Sequence, residues 1–533
     1  MTPADAILLL LLITLGVSAL GQRLRTPGPV LLALAGVAVG ILWQRFTFLP
    51  PLSFPPRLVL LVFLPPLLLN AAYALPLGAF RANLRAILML AVGLVLATAF
   101  TSAFAARLAL PELPWLSALV LGAIIAPPDP VAATAVAQRT GLSHRLVTIL
   151  EGEGLVNDAI AIVLYQLAVE ATVSGPVGWS DAVLALVREA PLGVVVGLAL
   201  SWLVVRVRRG IDNNALESGI SLLTPFVTYE LTDRIGGSAV LAVVTLGFVL
   251  RQHDLAISSP STRLTTRDVW IAVDFIGTAL VFMLIGIEIG AATRETLSTG
   301  LIGAGALVAA SAILLRLAWM LTVPRLMRLV RFEDPGARAL PSWRELLVLG
   351  WSGMRGVVSL ALALALPMTT ASGAPFPGRT EVILLSFAVI MATLILQGLT
   401  LIPLTRLLHV GDPGAEERAE RQVRERARRA ARASVLRAVS AGTVPPEECR
   451  RLANVLDSGE VGIAAGGRAA SRELLERAIE VQRSVVSRAR DGGRIGDPLA
   501  ERLEAELDRD LVRMRDEEMN SRLRRRDEGN GED

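Results

Sequence analysis

The chain has no lysine: all 52 basic residues are arginine, set against 48 acids. Nucleotide bias in the source genome explains that as well as physics does, so it carries no functional reading. A single cysteine, Cys449, excludes an intramolecular disulfide and any zinc-type cluster. Only three histidines are present, His144, His253 and His409, all at loop edges, and no nucleophile–base pairing is evident, which argues against an enzyme. One-signed charge is also missing. After Val410 the chain carries 25 arginines and 26 acids, and before it 27 and 22, so neither part reads as a nucleic-acid binder.

What the chain has is oil. Hydrophobic residues make up 53% of 533, and apolar runs repeatedly reach the roughly 20 residues that span a bilayer. The first run, from Ala6 to about Gln22, lacks a basic leader and a small-residue cleavage site, so it is expected to stay as the first span. Thirteen spans are predicted, near 5–22, 29–44, 58–75, 86–106, 115–138, 147–171, 189–205, 217–233, 236–252, 271–290, 300–324, 345–368 and 380–408. Loops after odd-numbered spans carry 17 arginines and those after even-numbered spans 7. The positive-inside rule then puts the odd loops and the C-terminus in the cytoplasm and the N-terminus outside.

An odd count with one central span suggests two six-helix halves, spans 1–6 and 8–13, as inverted repeats. The expected fold is all-α and polytopic: a membrane domain over 1–410 with crossed discontinuous helices, and a helical cytoplasmic tail over 411–533. The tail's Arg/Glu/Ala-rich stretches, about 415–440, 469–490 and 497–526, read as helices with solvated faces, or as a surface for a regulator.

Two polar strings interrupt this apolar chain. Span 5 contains Pro127, Pro128, Asp129 and Pro130, and span 6 contains Glu153, Asn157 and Asp158. Each proline lacks an N–H and clashes with the carbonyl four residues earlier, which should free those of Ala123, Ile124 and Ala126 and unwind the span. Broken backbone at membrane depth is tolerated where it lines a polar cavity. Freed carbonyls beside a carboxylate suit a small cation. The blander reading is a proline kink with Asp129 paired to an arginine. Span 12 is broken similarly by Gly353 and Gly356 around Arg355. At about 1.5 Å of rise per residue, Asp129, Asp158, Arg316 and Arg355 all lie roughly 12–17 Å deep. Intramembrane acids mark ion or proton pathways.

Glu153 and Asn157 share a helical face, with Asp158 rotated about 100° from Asn157. Asp158 can therefore face the cavity while Glu153 meets Arg316, whose charge must be compensated. Arg355 should compensate the broken helix ends and, as a second partner, Asp129. Glu230 and Glu288, near outer span ends, are expected to snorkel.

With these residues placed, the chain resembles the monovalent cation:proton antiporter superfamily, in particular its bacterial NhaP-like branch. The strings are Ala126 to Ala137 (APPDPVAATAVA), Glu151 to Ala161 (EGEGLVNDAIA), Leu284 to Gly290 (LIGIEIG), Gly350 to Pro367 (GWSGMRGVVSLALALALP) and Gln397 to Pro403 (QGLTLIP). The resemblance implies a homodimer in the lipid of the bacterial inner membrane, with spans 1–3 and 8–10 as scaffold and spans 4–6 and 11–13 as an elevator-like core. It also implies that Asn157 and Asp158 form the centre of the site, that Asp129 assists, that Glu153 and Arg316 form a stabilising pair, and that Arg355 serves the second crossing helix. The expected activity is electroneutral exchange of Na+ for H+ with no cofactor, the only metal being transported Na+ held transiently at Asp158 and Asp129. A K+/H+ antiporter is the alternative, and a cation channel or a transporter-derived sensor are more distant ones. Pro128 stands where a threonine often precedes the acid, and Gly154 where a serine often lies three before the Asn. Both remove hydroxyl oxygens, so the resemblance leaves the choice among sodium, lithium and potassium open.

Overall fold

The computed structural model describes residues 3–24, 28–43, 55–74, 87–88, 92–129, 144–175, 179–211, 213–296, 299–329, 341–410, 414–440, 447, 452, 469–492, 494–496 and 499–514. Pro130, one of the predicted helix breakers, lies outside them. Among the described residues there is no β-strand, only an isolated bridge between Thr369 and Pro375.

Helices follow because an apolar chain in lipid must satisfy its backbone internally. The first eleven are α1 (Pro3–Leu24), α2 (Gly28–Trp43), α3 (Pro56–Ala74), α4 (Leu94–Ala109), α5 (Trp115–Ile125), α6 (His144–Ser174), α7 (Trp179–Arg208), α8 (Asn214–Arg234), α9 (Ala239–Ile257), α10 (Pro260–Thr296) and α11 (Thr299–Leu329). Then come α12 (Trp343–Trp351), α13 (Val357–Leu364), α14 (Arg379–Leu407), α15 (Ala415–Ser440) and α16 (Ala469–Asp491), followed by α17 over 499–514. Five segments are long and apolar enough to cross a membrane by length and composition: Gly152–Ser174, Arg188–Arg208, Pro260–Gly290, Gly300–Val323 and Arg379–Leu407. Leu8, Leu12, Trp202, Leu223, Ile302 and Leu314 each leave more than 60% of their surface uncovered, as a lipid-facing rim should.

Small residues set the contact between α2 and α10. On α2, Gly36 and Gly40 lie against the carbonyls of Met283 and Ile287 on α10, and Gly286 and Gly290 lie reciprocally against those of Ala33 and Val37. A Cβ at any of the four would collide with backbone, so the i, i+4 glycine pairs let the two helices interlock. Two of those glycines belong to the LIGIEIG string.

Three arginines or acids read as isolated from sequence have partners here. Arg208, counted as a loop charge, is 4% exposed in the last turn of α7 and donates to Glu217 (3.0 and 2.9 Å) and to Ser258 (2.7 Å). Glu288 pairs with Arg379 at 3.1 Å, and Glu230 with Arg234 at 2.7 Å and Arg57 at 3.2 Å. The Glu288–Arg379 and Glu230–Arg57 pairs cross between helices, and Arg234 pairs with Glu230 within α8.

Candidate functional site

The site is built where the end of one helix meets the break between two others. Helix α5 stops at Ile125, because the prolines that follow cannot continue the hydrogen-bond ladder. Helix α12 starts on a capping box, in which Ser342 and Glu345 satisfy each other's backbone N–H, and stops at Trp351. After the non-helical stretch Ser352–Gly356, α13 begins at Val357. The breaks touch: the Asp129 N–H donates to the Met354 carbonyl at 2.6 Å.

Glycine makes room at both points of contact. The Asp129 carboxylate lies over Gly356 and the Arg316 side chain over Gly353, and a Cβ at either glycine would collide with them. Arg355, 1% exposed, donates from Nε to the Ile125 carbonyl at 2.9 Å and from Nη1 to the Gly353 carbonyl, and its own N–H donates to Thr393 Oγ1 at 3.3 Å. One guanidinium thus caps carbonyls at both interruptions. Sequence counting points to the carbonyls of Ala123, Ile124 and Ala126, whereas Arg355 takes that of Ile125. Ala126 still donates to Gly122 as the C-cap, so the helix ends at Ile125, two residues before the first proline.

On α6, Glu153 is fully buried and receives both arms of Arg316, Nη1 to Oε1 at 2.5 Å and Nη2 to Oε2 at 3.1 Å. The same Oε1 accepts from Asn157 Nδ2 at 3.1 Å. That bond orients the amide. Asn157 is fully buried, and its Oδ1 has no hydrogen-bond partner among the described residues. A buried, unpaired carbonyl oxygen costs on the order of 1–3 kcal/mol, and a cation is one ligand that relieves it. Asp158 is 7% exposed; among the described residues no hydrogen bond or ion pair closes on its carboxylate, and its electrostatic neighbour is Asp129. Two acids, an oriented amide oxygen and a proline break therefore surround one small polar region. Hard oxygen groups of this kind suit an alkali cation, and a carboxylate takes a proton in its place.

Sequence reasoning missed two polar groups on α14, Thr393 and Gln397, both fully buried. Thr393 holds the Arg355 N–H, and both polar atoms of Gln397 lack partners among the described residues. Their signal was a pair of polar residues four apart on an otherwise apolar span. His253 bonds the Val249 carbonyl, and His409 that of Leu407 within its own turn, so neither reaches the acids.

Among the described residues the fold is helical, and a helix end and a helix break meet beside an acid–amide pair, an arrangement that suits a secondary transporter of small cations. Residues 7–407 match the family described as sodium/hydrogen exchanger, transmembrane, and the chain belongs to that family. It is 32% identical over 517 residues to an uncharacterized Na(+)/H(+) exchanger of Mycobacterium tuberculosis, covering 94% of each chain. It is 31% identical over 493 residues to the Na(+)/H(+) antiporter ApNhaP of Aphanothece halophytica, covering 88% of this chain and 86% of that one. Its fold is similar to that of the sodium proton antiporter MjNhaP1 from Methanocaldococcus jannaschii, with a TM-score of 0.59 at 21% identity over 77% of this chain and 99% of that one. The protein is a multi-pass membrane protein.

Proposed function

We propose that this chain exchanges Na+ for H+ across the bacterial inner membrane by alternating occupancy of Asp158. The observation that carries the reading is the Asn157 Oδ1 left unpaired beside Asp158 while the other end of the amide is pinned to Glu153. Arg316, Glu153 and Asn157 form a hydrogen-bonded chain that leaves one amide oxygen beside Asp158. Asp129, carried on the neighbouring break, assists. Protons and sodium compete for one acid, and the carrier crosses only when that acid is neutralised, so each cycle moves a cation one way and a proton back. An asparagine in place of a second titrating acid favours one-for-one, electroneutral turnover.

The architecture proposed with it has thirteen crossings in two inverted repeats, with α12 and α13 forming one broken crossing. Spans 1–3 and 8–10 are the scaffold and dimer unit of a homodimer, and spans 4–6 and 11–13 an elevator-like core. The membrane domain covers 1–410 and the tail 411–533, with the N-terminus outside and the C-terminus in the cytoplasm. No cofactor takes part; Na+ is cargo.

The test is purified full-length protein in liposomes with a preset pH gradient. Sodium should collapse the gradient, and clamping the membrane potential at different values should leave the rate unchanged. Collapse by potassium but not sodium would move the assignment to K+/H+ exchange, and current without counter-transport would make the protein a channel.

A further inference from the structure

Scaffold and core stand apart at one end of the bundle and are joined at the other. At the end that the loop arginines assign to the cytoplasm lies a cavity of about 1300 Å³, walled by Leu69, Asn70 and Asp274 on the scaffold side and by Gly398 and Ile402 of α14 on the core side. At the opposite end Arg379, the first residue of α14, donates to the Leu366 carbonyl just past α13 at 3.3 Å and to Glu288 of α10 at 3.1 Å. The first contact stays within the core and the second crosses to the scaffold. Arg379 and Glu288 keep only 17% and 33% of their side chains exposed, so the pair is covered on most sides.

Behind that pair runs a line of polar groups. Arg379, Ser386 and Thr393 recur every seven residues, so they share one face of α14 and step along it by about 10 Å at a time. Thr393 is the residue that holds the Arg355 N–H at the helix break. Asp158 and Tyr165 repeat the spacing on α6, and the loop charges run that helix outward, so Tyr165 lies about 10 Å nearer the outside than Asp158. Tyr165 is buried, and its electrostatic neighbours are Arg379 and Tyr229, the latter on the scaffold helix α8. Ser386 Oγ, Tyr165 OH and Ser359 Oγ of α13 are buried and have no hydrogen-bond partner among the described residues. A hydroxyl on a helix ordinarily returns its hydrogen bond to the carbonyl one turn back, as Ser18 and Thr224 do. Left without a partner in apolar surroundings it is costly, and a partner that arrives in another step of the cycle accounts for keeping it.

We propose that the face Arg379–Ser386–Thr393 of α14 and the face Asp158–Tyr165 of α6 form the outward half of the ion path, and that the Arg379–Glu288 pair is the latch that closes it. The inference rests on the antiport reading and its division into scaffold and core. With the latch shut, the hydroxyls behind it have nothing to bond. When the core moves against the scaffold, Arg379 keeps the Leu366 carbonyl and leaves Glu288. Water then enters beside Tyr165, and the Tyr165 and Ser386 hydroxyls bond water and sodium on the way to and from Asp158.

The test uses the full chain in bacterial cells, with Cys449→Ser removing the native thiol and Ser386→Cys or Tyr165→Cys as reporter. A membrane-impermeant maleimide added outside should label both reporters at least about threefold faster once Glu288→Gln opens the latch, a change of the size that a part-exposed pair supports. Glu288→Gln without a reporter should lower the external sodium concentration for half-maximal exchange about threefold and raise the internal one, measured in right-side-out and inside-out membrane vesicles, because a population shifted toward one face gains affinity there and loses it at the other. Equal labelling of both reporters with and without Glu288→Gln overturns the proposal. So does a change of apparent affinity in the same direction on both sides, which is what mere loosening of the fold would produce. Absence of sodium-driven exchange in the unaltered chain would instead strike the antiport reading, and the labelling would still report whether the outer path opens.

Discussion

The two interruptions at the site are made by opposite means. In α5 prolines remove donors and force the helix to stop, which leaves carbonyls in need of a partner. Between α12 and α13 glycines remove side chains, which lets Asp129 and Arg316 lie directly on the backbone. The proline break thus creates a demand, and the glycine break admits the groups that meet it. Arg355 joins them, because its guanidinium serves Ile125 on one side and Gly353 on the other.

Removing that joint should have the largest effect. Arg355→Met leaves two buried carbonyls unsatisfied at about 1–3 kcal/mol each; the expected result is loss of exchange together with a lower melting temperature in detergent. Glu153→Gln leaves Arg316 uncompensated in a buried position, where breaking a pair costs about 3–5 kcal/mol from one partner's loss. It should also free the Asn157 amide to turn, so the apparent sodium affinity should fall even where enough folded protein survives to assay. Gly356→Ala sharpens the comparison from the other side: it must displace the Asp129 carboxylate, at about 1–3 kcal/mol of overpacking. Gly356→Ala should slow exchange, whereas Gly373→Ala, where a Cβ meets open space but the backbone is left-handed, should lower thermal stability by about 1 kcal/mol and leave exchange unchanged, which separates collision from strain. The smallest effect is expected from Pro128→Thr, which restores a hydroxyl beside Asp129. It should change the ranking among sodium, lithium and potassium by under about 1 kcal/mol, or roughly fivefold, in a cation panel.

Much of the site was legible because lipid makes polar residues conspicuous. Asp129, Glu153, Asn157, Asp158, Arg316 and Arg355 stand out in apolar spans, and helical rise alone puts four of them at one depth. The pairing of Glu153 with Arg316 follows from charge and face. What periodicity does not carry is which atom serves which: the choice of the Ile125 carbonyl by Arg355, and the contact of Asp129 N–H with Met354, depend on how two distant segments cross. The same holds for the glycine interlock of α2 with α10. In the tail, alternating Arg and Glu look identical whether the face is solvated or docked, so Asp508 gave no sign that it is buried between two arginines, Arg263 and Arg483.

The central claim is that the carboxylate of Asp158 is the one group that carries proton and sodium in turn. Asp158→Asn in the full-length protein, purified and reconstituted, tests it most directly. The predicted result is a variant that melts and elutes like the unaltered protein but no longer collapses a pH gradient when sodium is added. Sustained sodium-driven proton flux through that variant would contradict the account.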